Sequence, residues 1–236
     1  EEVAREEKLT IQMKPMNYAD WACQSVHLKR PLMDGDFIFH SDEIKNVNAN
    51  VIGVIESQAT TRHLRFKMDV VNGEVKADLS RDIAKIALVE RHSGNGKIQL
   101  GFVSGFGLNV PCAIATTVAH DCHQMIVVGT DDADMALAAN MLAQCGGGQV
   151  VVSRGEELGI VELPIAGLMS NERAEVVAQK AATVLAGFEK CGCTLNNPNM
   201  QLSLLALVVI PELRISDLGL VDVTRFDFIP VTEVIK

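Results

Sequence analysis

Short apolar runs rich in β-branched residues recur from residue 51 onward, separated at close intervals by glycine, asparagine or charged residues. Such runs predict strands at 51–55, 65–71, 83–90, 98–103, 112–119 and 125–128, with Asn72-Gly73 as a turn signal. The pattern then changes period. Thr130-Asp131-Asp132-Ala133-Asp134 predicts a helix start, with Thr130 as the cap and three acids at the positive end of the dipole. Good helix formers continue over 135–144, and Gly146-Gly147-Gly148 ends the helix. Residues 149–152 and 159–163 predict a hairpin about Arg154-Gly155, followed by an apolar loop at 164–169. Between Asn171 and Lys190, the residues Val177, Ala181, Val184, Leu185 and Phe188 form one apolar helical face. Residues 200–210 are nearly all apolar, and periodicity alone leaves helix and strand open there.

The first fifty residues are patterned differently. Residues 8–13 alternate like a strand, 18–27 suit a short helix, and turn residues at 31–36 precede Phe37-Ile38-Phe39. The charged start at Glu1 and the absence of a folded lead-in predict that 1–50 connect from a preceding domain and that 51–236 form one domain. The expected class is α+β, with mixed or antiparallel sheet layers and two long helices.

Composition narrows the function. Hydrophobic residues make up 48% of the 236-residue chain, enough for a sizeable core. The net charge of −9 repels a phosphate backbone and argues against nucleic-acid binding. No uncharged apolar run reaches a membrane span, so the reading is a soluble protein with no membrane partner, located in the cytoplasm. Six scattered cysteines are expected to be reduced thiols, and Cys191-Gly192-Cys193 lacks the spacing of a zinc or redox motif.

The densest chemistry lies at His120-Asp121-Cys122-His123, four titratable residues between two apolar runs. On an extended strand Asp121 and His123 share one face, and His120 and Cys122 the other. An Asp-x-His pair can share a proton, the carboxylate fixing the imidazole tautomer. The plainer alternative is a strand end or tight turn with its polar groups in solvent. His27, His40, His63 and His92 are isolated and suit surface or packing roles, while Trp21 suits packing against another domain. Neither Gly146-Gly147-Gly148 nor the glycine-rich stretch 101–107 stands before an obvious helix, as a phosphate cradle would.

Several motifs carry a family resemblance. Gly105-Phe106-Gly107-Leu108, Thr117-Val118-Ala119-His120-Asp121-Cys122-His123, Ile126-Val127-Val128-Gly129-Thr130 and Asp134-Met135-Ala136-Leu137-Ala138 resemble the C-terminal domain of bacterial-type adenine deaminase. Gly146-Gly147-Gly148-Gln149-Val150-Val151-Val152, Leu163-Pro164-Ile165-Ala166-Gly167-Leu168-Met169-Ser170 and Leu218-Gly219-Leu220-Val221-Asp222-Val223 follow in the family's order. Cys122 departs from the family's usual serine, which argues against an essential nucleophile there. The resemblance implies an amidohydrolase-superfamily enzyme that hydrolyses adenine to hypoxanthine and ammonia. It also implies a divalent metal pair, manganese or iron, held by a separate (β/α)₈ barrel with a His-x-His ligand motif. This chain has no His-x-His and no complete TIM barrel, so no metal ligand is assigned within it. Asp121 and His123, with His120, are the residues expected to approach the barrel mouth and orient substrate or assist proton transfer. The implied partners are adenine, the barrel domain and further copies of the enzyme in a homo-oligomer. The alternatives are a non-catalytic structural or dimerisation domain and a stand-alone small-molecule binding module.

Overall fold

Every residue of the strand Met125–Gly129 is buried, because layers cover both faces of the sheet to which it belongs. That double burial is why the segment reads as a continuous apolar run rather than an alternation. The computed structural model describes residues 2–6, 8–11 and 16–234, and among these an eleven-stranded mixed sheet organises the chain. From one edge its order is Glu156–Glu162, Gly148–Ser153, Ala113–Thr116, Met125–Gly129, Ile83–Val89, Ile98–Ser104, Asn46–Val54, Thr61–Val71, Glu74–Val75 and Phe39–His40. The pairings are antiparallel except that of Asn46–Val54 with Ile98–Ser104, which is parallel. Thr232–Val234 pairs with the first half of Asn46–Val54, so that strand meets two neighbours in turn along one side.

Strict alternation divides the core between the two faces. Ala87, Val89, Ala113, Ala115, Met125, Val127, Val150 and Val152 face the helix Asp132–Cys145. Their neighbours Ile86, Leu88, Ile114, Ile126, Val128 and Val151 face the helix Ala174–Lys190 and the C-terminal segments. The structure is thus α+β, with the two long helices on opposite faces of a sheet that does not close into a barrel.

Several boundaries differ from the pattern-based expectation. Thr130 does not cap the first long helix: Asp131 does, accepting from the Asp134 N–H at 3.0 Å. The Thr130 hydroxyl instead donates to the Val110 carbonyl and accepts from the Cys112 N–H. Asp134, buried in the first turn, accepts from the Arg154 and Gly155 N–H groups and so fastens the predicted hairpin to this helix. In the second long helix Val184 and Phe188 are buried, whereas Leu185 lies at the margin of the apolar stripe and is exposed.

Short segments departed furthest. The helix expected at 18–27 is one turn, Asp20–Cys23, and the strand expected at 8–13 is described only at Lys8–Leu9, Gln12 and Met13 lying outside the described residues. The ladder reaches back to Asn46, and Phe37 is fully buried against the first long helix. The apolar 200–210 stretch is neither a long helix nor a strand. Its first residues end the helix Pro198–Ser203, and the rest is a chain of turns around the buried Arg214, whose guanidinium donates to the Leu204, Ile210 and Ala59 carbonyls. Burial of this kind requires every donor to find an acceptor.

The glycine-rich stretch 101–107 has its own anion. Asp82 accepts from the Gly105 and Gly107 N–H groups at 2.7 and 2.8 Å, so these amides bind a carboxylate of the same chain.

Candidate functional site

The His120–His123 segment is a tight turn between Ala113–Thr116 and Met125–Gly129, not an extended strand with alternating faces. Two residue types account for this. Thr116 accepts the Val118 N–H on its own hydroxyl, ending the ladder, and His123 takes a left-handed backbone conformation, which histidine tolerates better than most side chains. The His123 N–H closes the turn on the Ala119 carbonyl at 2.6 Å.

The turn is tethered from three directions. Arg91 donates through Nε to the His123 carbonyl at 2.6 Å, and His92 Nε2 donates to the Cys122 carbonyl at 2.9 Å. The His120 N–H reaches the Ser203 carbonyl at 2.9 Å. Arg91 is almost wholly buried, and its remaining donors bind the Ser25 carbonyl at 2.8 Å and the Ala166 carbonyl at 3.1 Å. One guanidinium therefore joins the N-terminal segment, the turn and the apolar loop 164–169. Gln124 completes the anchorage by accepting the Arg91 N–H. Sequence reading passed over Arg91, since an arginine after an apolar strand reads as a surface residue. No local signal marks it, because Glu90 and Arg91 together read as a polar strand end.

Within the turn the four side chains separate. The His120 and His123 rings meet edge to face with centroids 5.7 Å apart. The Ala119 N–H donates to His123 Nδ1 at 3.3 Å, which places the proton of the neutral ring on Nε2. Burial, then the neighbouring His120, lower the His123 pKa and favour that neutral form. Asp121 is exposed and makes no hydrogen bond to His123 among the described residues, so the expected proton-sharing Asp-x-His pair is not formed. Asp121 and Cys122 border a cavity of about 130 Å³ with Ser216 and Asp217, whereas His120 borders a different one of about 250 Å³.

This donor set does not fit a metal. His123 Nδ1 is already occupied by a backbone N–H, and His120 and Asp121 open onto different cavities. No group of three or more His, Cys, Asp or Glu side chains among the described residues is arranged to hold an ion. What the turn offers is a neutral imidazole donor and a free carboxylate on a rigid support.

Comparison with known proteins places this architecture. The chain is 56% identical over 218 residues to the adenine deaminase of Roseobacter denitrificans, covering 91% of this chain and 36% of that protein. It is 52% identical over 219 residues to adenine deaminase 3 of Rhizobium meliloti, covering 93% of this chain and 37% of the relative. The adenine deaminase of Moorella thermoacetica is 46% identical over 228 residues, 96% of this chain and 38% of its own length. The chain thus spans little more than a third of these curated relatives. The family profile described as the adenine deaminase C-terminal domain matches residues 58–227, which take in the central strands, both long helices and the His120–His123 turn, and the chain belongs to that family.

Proposed function

We propose that this chain is the C-terminal portion of an adenine deaminase, an enzyme that hydrolyses adenine to hypoxanthine and ammonia. The observation that carries this reading is the 56% identity to a named adenine deaminase across 91% of the chain. The metal pair implied by the resemblance, manganese or iron, would be bound by the part of the enzyme that this chain does not span. The residues of the turn do not converge on an ion, so no step is assigned through a metal here. A cytoplasmic location is supported by six free thiols, three of them buried, which suit a reducing compartment.

Within that enzyme the turn would serve as a support facing the substrate-handling region. Asp121 supplies an exposed carboxylate, and His123 a neutral ring with its free proton at Nε2. His120 stands beside them as a positioning residue. The rigid attachment by Arg91, His92 and Ser203 supports such a role, because a group that orients a reacting partner must itself be held.

Domain replacement tests the reading. This chain is substituted for the matching segment of the Roseobacter denitrificans enzyme, and products are measured from adenine. Hypoxanthine and ammonia in equal amounts support the assignment, and a folded replacement enzyme that leaves adenine intact refutes it.

A further inference from the structure

Large apolar side chains exposed one by one are ordinary, but several gathered about one feature mark a surface that another body covers. Four of them stand about the His120–His123 turn although they come from four separate segments: Trp21, Met169, Val209 and Leu218. Trp21, the only tryptophan of the chain, is 81% exposed and Leu218 66%, so the fold itself makes little use of either.

Each of the four is fixed beside the turn by a contact of its own segment. The Thr117 hydroxyl, just before the turn, donates to the Gly167 carbonyl at 2.6 Å and seats the loop 164–169, which ends in Met169. The Ala166 N–H of that loop donates to the Ala22 carbonyl, next to Trp21, and Arg91 binds both segments to the His123 carbonyl. Val209 and Asp217 border the cavity of about 130 Å³ that Asp121 and Cys122 also border. Asp217 and Leu218 form the bend between the strands Leu213–Ser216 and Gly219–Asp222. The Ser216 hydroxyl holds that bend, accepting the Leu218 N–H and donating to the Gly219 carbonyl. The turn thus meets Trp21 and Met169 through Thr117 and Arg91, and Val209 and Leu218 through the cavity at Asp121.

We infer that Trp21, Met169, Val209 and Leu218 are the seat for the part of the deaminase that this chain does not span, which packs on them and covers the turn. The inference rests on the proposed function and names the surface through which the chain takes part in it. The occupant follows from two observations. The chain covers 36–38% of the adenine deaminases of Roseobacter denitrificans, Rhizobium meliloti and Moorella thermoacetica, so the larger part of each relative lies outside the matched segment and needs a face to pack on. Being part of the same polypeptide, it is present at high effective concentration, and a patch of four side chains is enough to hold it. The second observation is what the patch surrounds. A second copy of this chain, packed on the same face about a two-fold axis, would press turn against turn and close Asp121 and His123 to substrate.

The test is hydroxyl-radical footprinting, read by peptide mass spectrometry, on the 236-residue chain and on the Roseobacter denitrificans enzyme carrying this chain in place of its matching segment. Trp21, Met169 and Leu218 should lose most of their oxidation in the larger enzyme. Phe226, exposed at the other end of the strand Gly219–Asp222 from Leu218, should keep its own. Oxidation of Trp21 and Met169 at equal rates in the two proteins overturns the inference, as does protection no stronger at these residues than at Phe226. Protection that arises in the isolated chain as its concentration is raised assigns the face to a second copy and overturns it too. The footprint reads packing rather than turnover, and no variant has to fold. An inactive replacement enzyme with Trp21 protected counts against the deaminase reading and leaves the seat standing, whereas an active one with Trp21 fully oxidised removes the seat alone.

Discussion

Arg91 Nε donates to the His123 carbonyl at 2.6 Å, joining a buried guanidinium to the turn that carries the candidate site. The same side chain reaches Ser25 and Ala166, so it acts as a clamp on three segments that are remote in sequence. Arg91→Leu should therefore lower unfolding stability by about 3–5 kcal/mol, because several buried carbonyls lose charged donors at once. Urea denaturation of the two chains measures this, and a loss below about 1 kcal/mol would contradict the clamp.

Stability should depend on pH through His123. Its folded pKa is lowered, chiefly by burial and then by His120, from an ordinary value of 6.5. The unfolded chain therefore binds more protons than the folded one as pH falls past that value. The resulting stabilisation is complete above pH 6.5 and is lost progressively below it. His123→Gln should show a shallower fall in urea midpoint between about pH 7.5 and 5.5 than the unaltered chain. Identical slopes would mean that the ring is not held neutral by the fold.

Backbone packing behind the turn admits no side chain at Gly147. Its φ of +117° lies in the left-handed region, and an added Cβ would fall on the Gly167 Cα. Gly147→Ala should destabilise by about 3 kcal/mol or more, since the obstacle is backbone rather than a movable side chain. Thermal unfolding tests this: a melting temperature unchanged within a degree or so would show that the two glycine segments can part at little cost.

The two principal site residues should share an effect on turnover. Asp121 is exposed, so Asp121→Asn should change stability by no more than about 0.5 kcal/mol. In the domain-replaced enzyme, Asp121→Asn and His123→Gln are each expected to lower kcat about tenfold with KM little altered, as for groups that act mainly in the transition state. Steady-state kinetics on folded variants with kcat and KM both unchanged would remove these residues from the reaction.

How far the sequence foretold this depended on the kind of signal. The run 125–128 and the apolar stripe ending at Phe188 identify a buried strand and a packed helix because periodicity is a local property. Asp131 displaced Thr130 as the cap because the threonine hydroxyl found a partner in the Val110 carbonyl, a contact set by tertiary structure. The four-residue polar cluster was visible, but its turn geometry was not, since that depends on Arg91, His92 and Ser203. Asn199 carries no sequence mark at all: its side-chain oxygen is left buried and without a partner only once the short helix is packed.

The most direct measurement is kcat for adenine in the Roseobacter denitrificans enzyme carrying this chain in place of its own matching segment. It should be compared with the parent enzyme and with the same enzyme lacking that segment. The prediction is a kcat within about tenfold of the parent and well above that of the shortened enzyme. A folded replacement enzyme no more active than the shortened one would contradict the assignment of this chain to a working adenine deaminase.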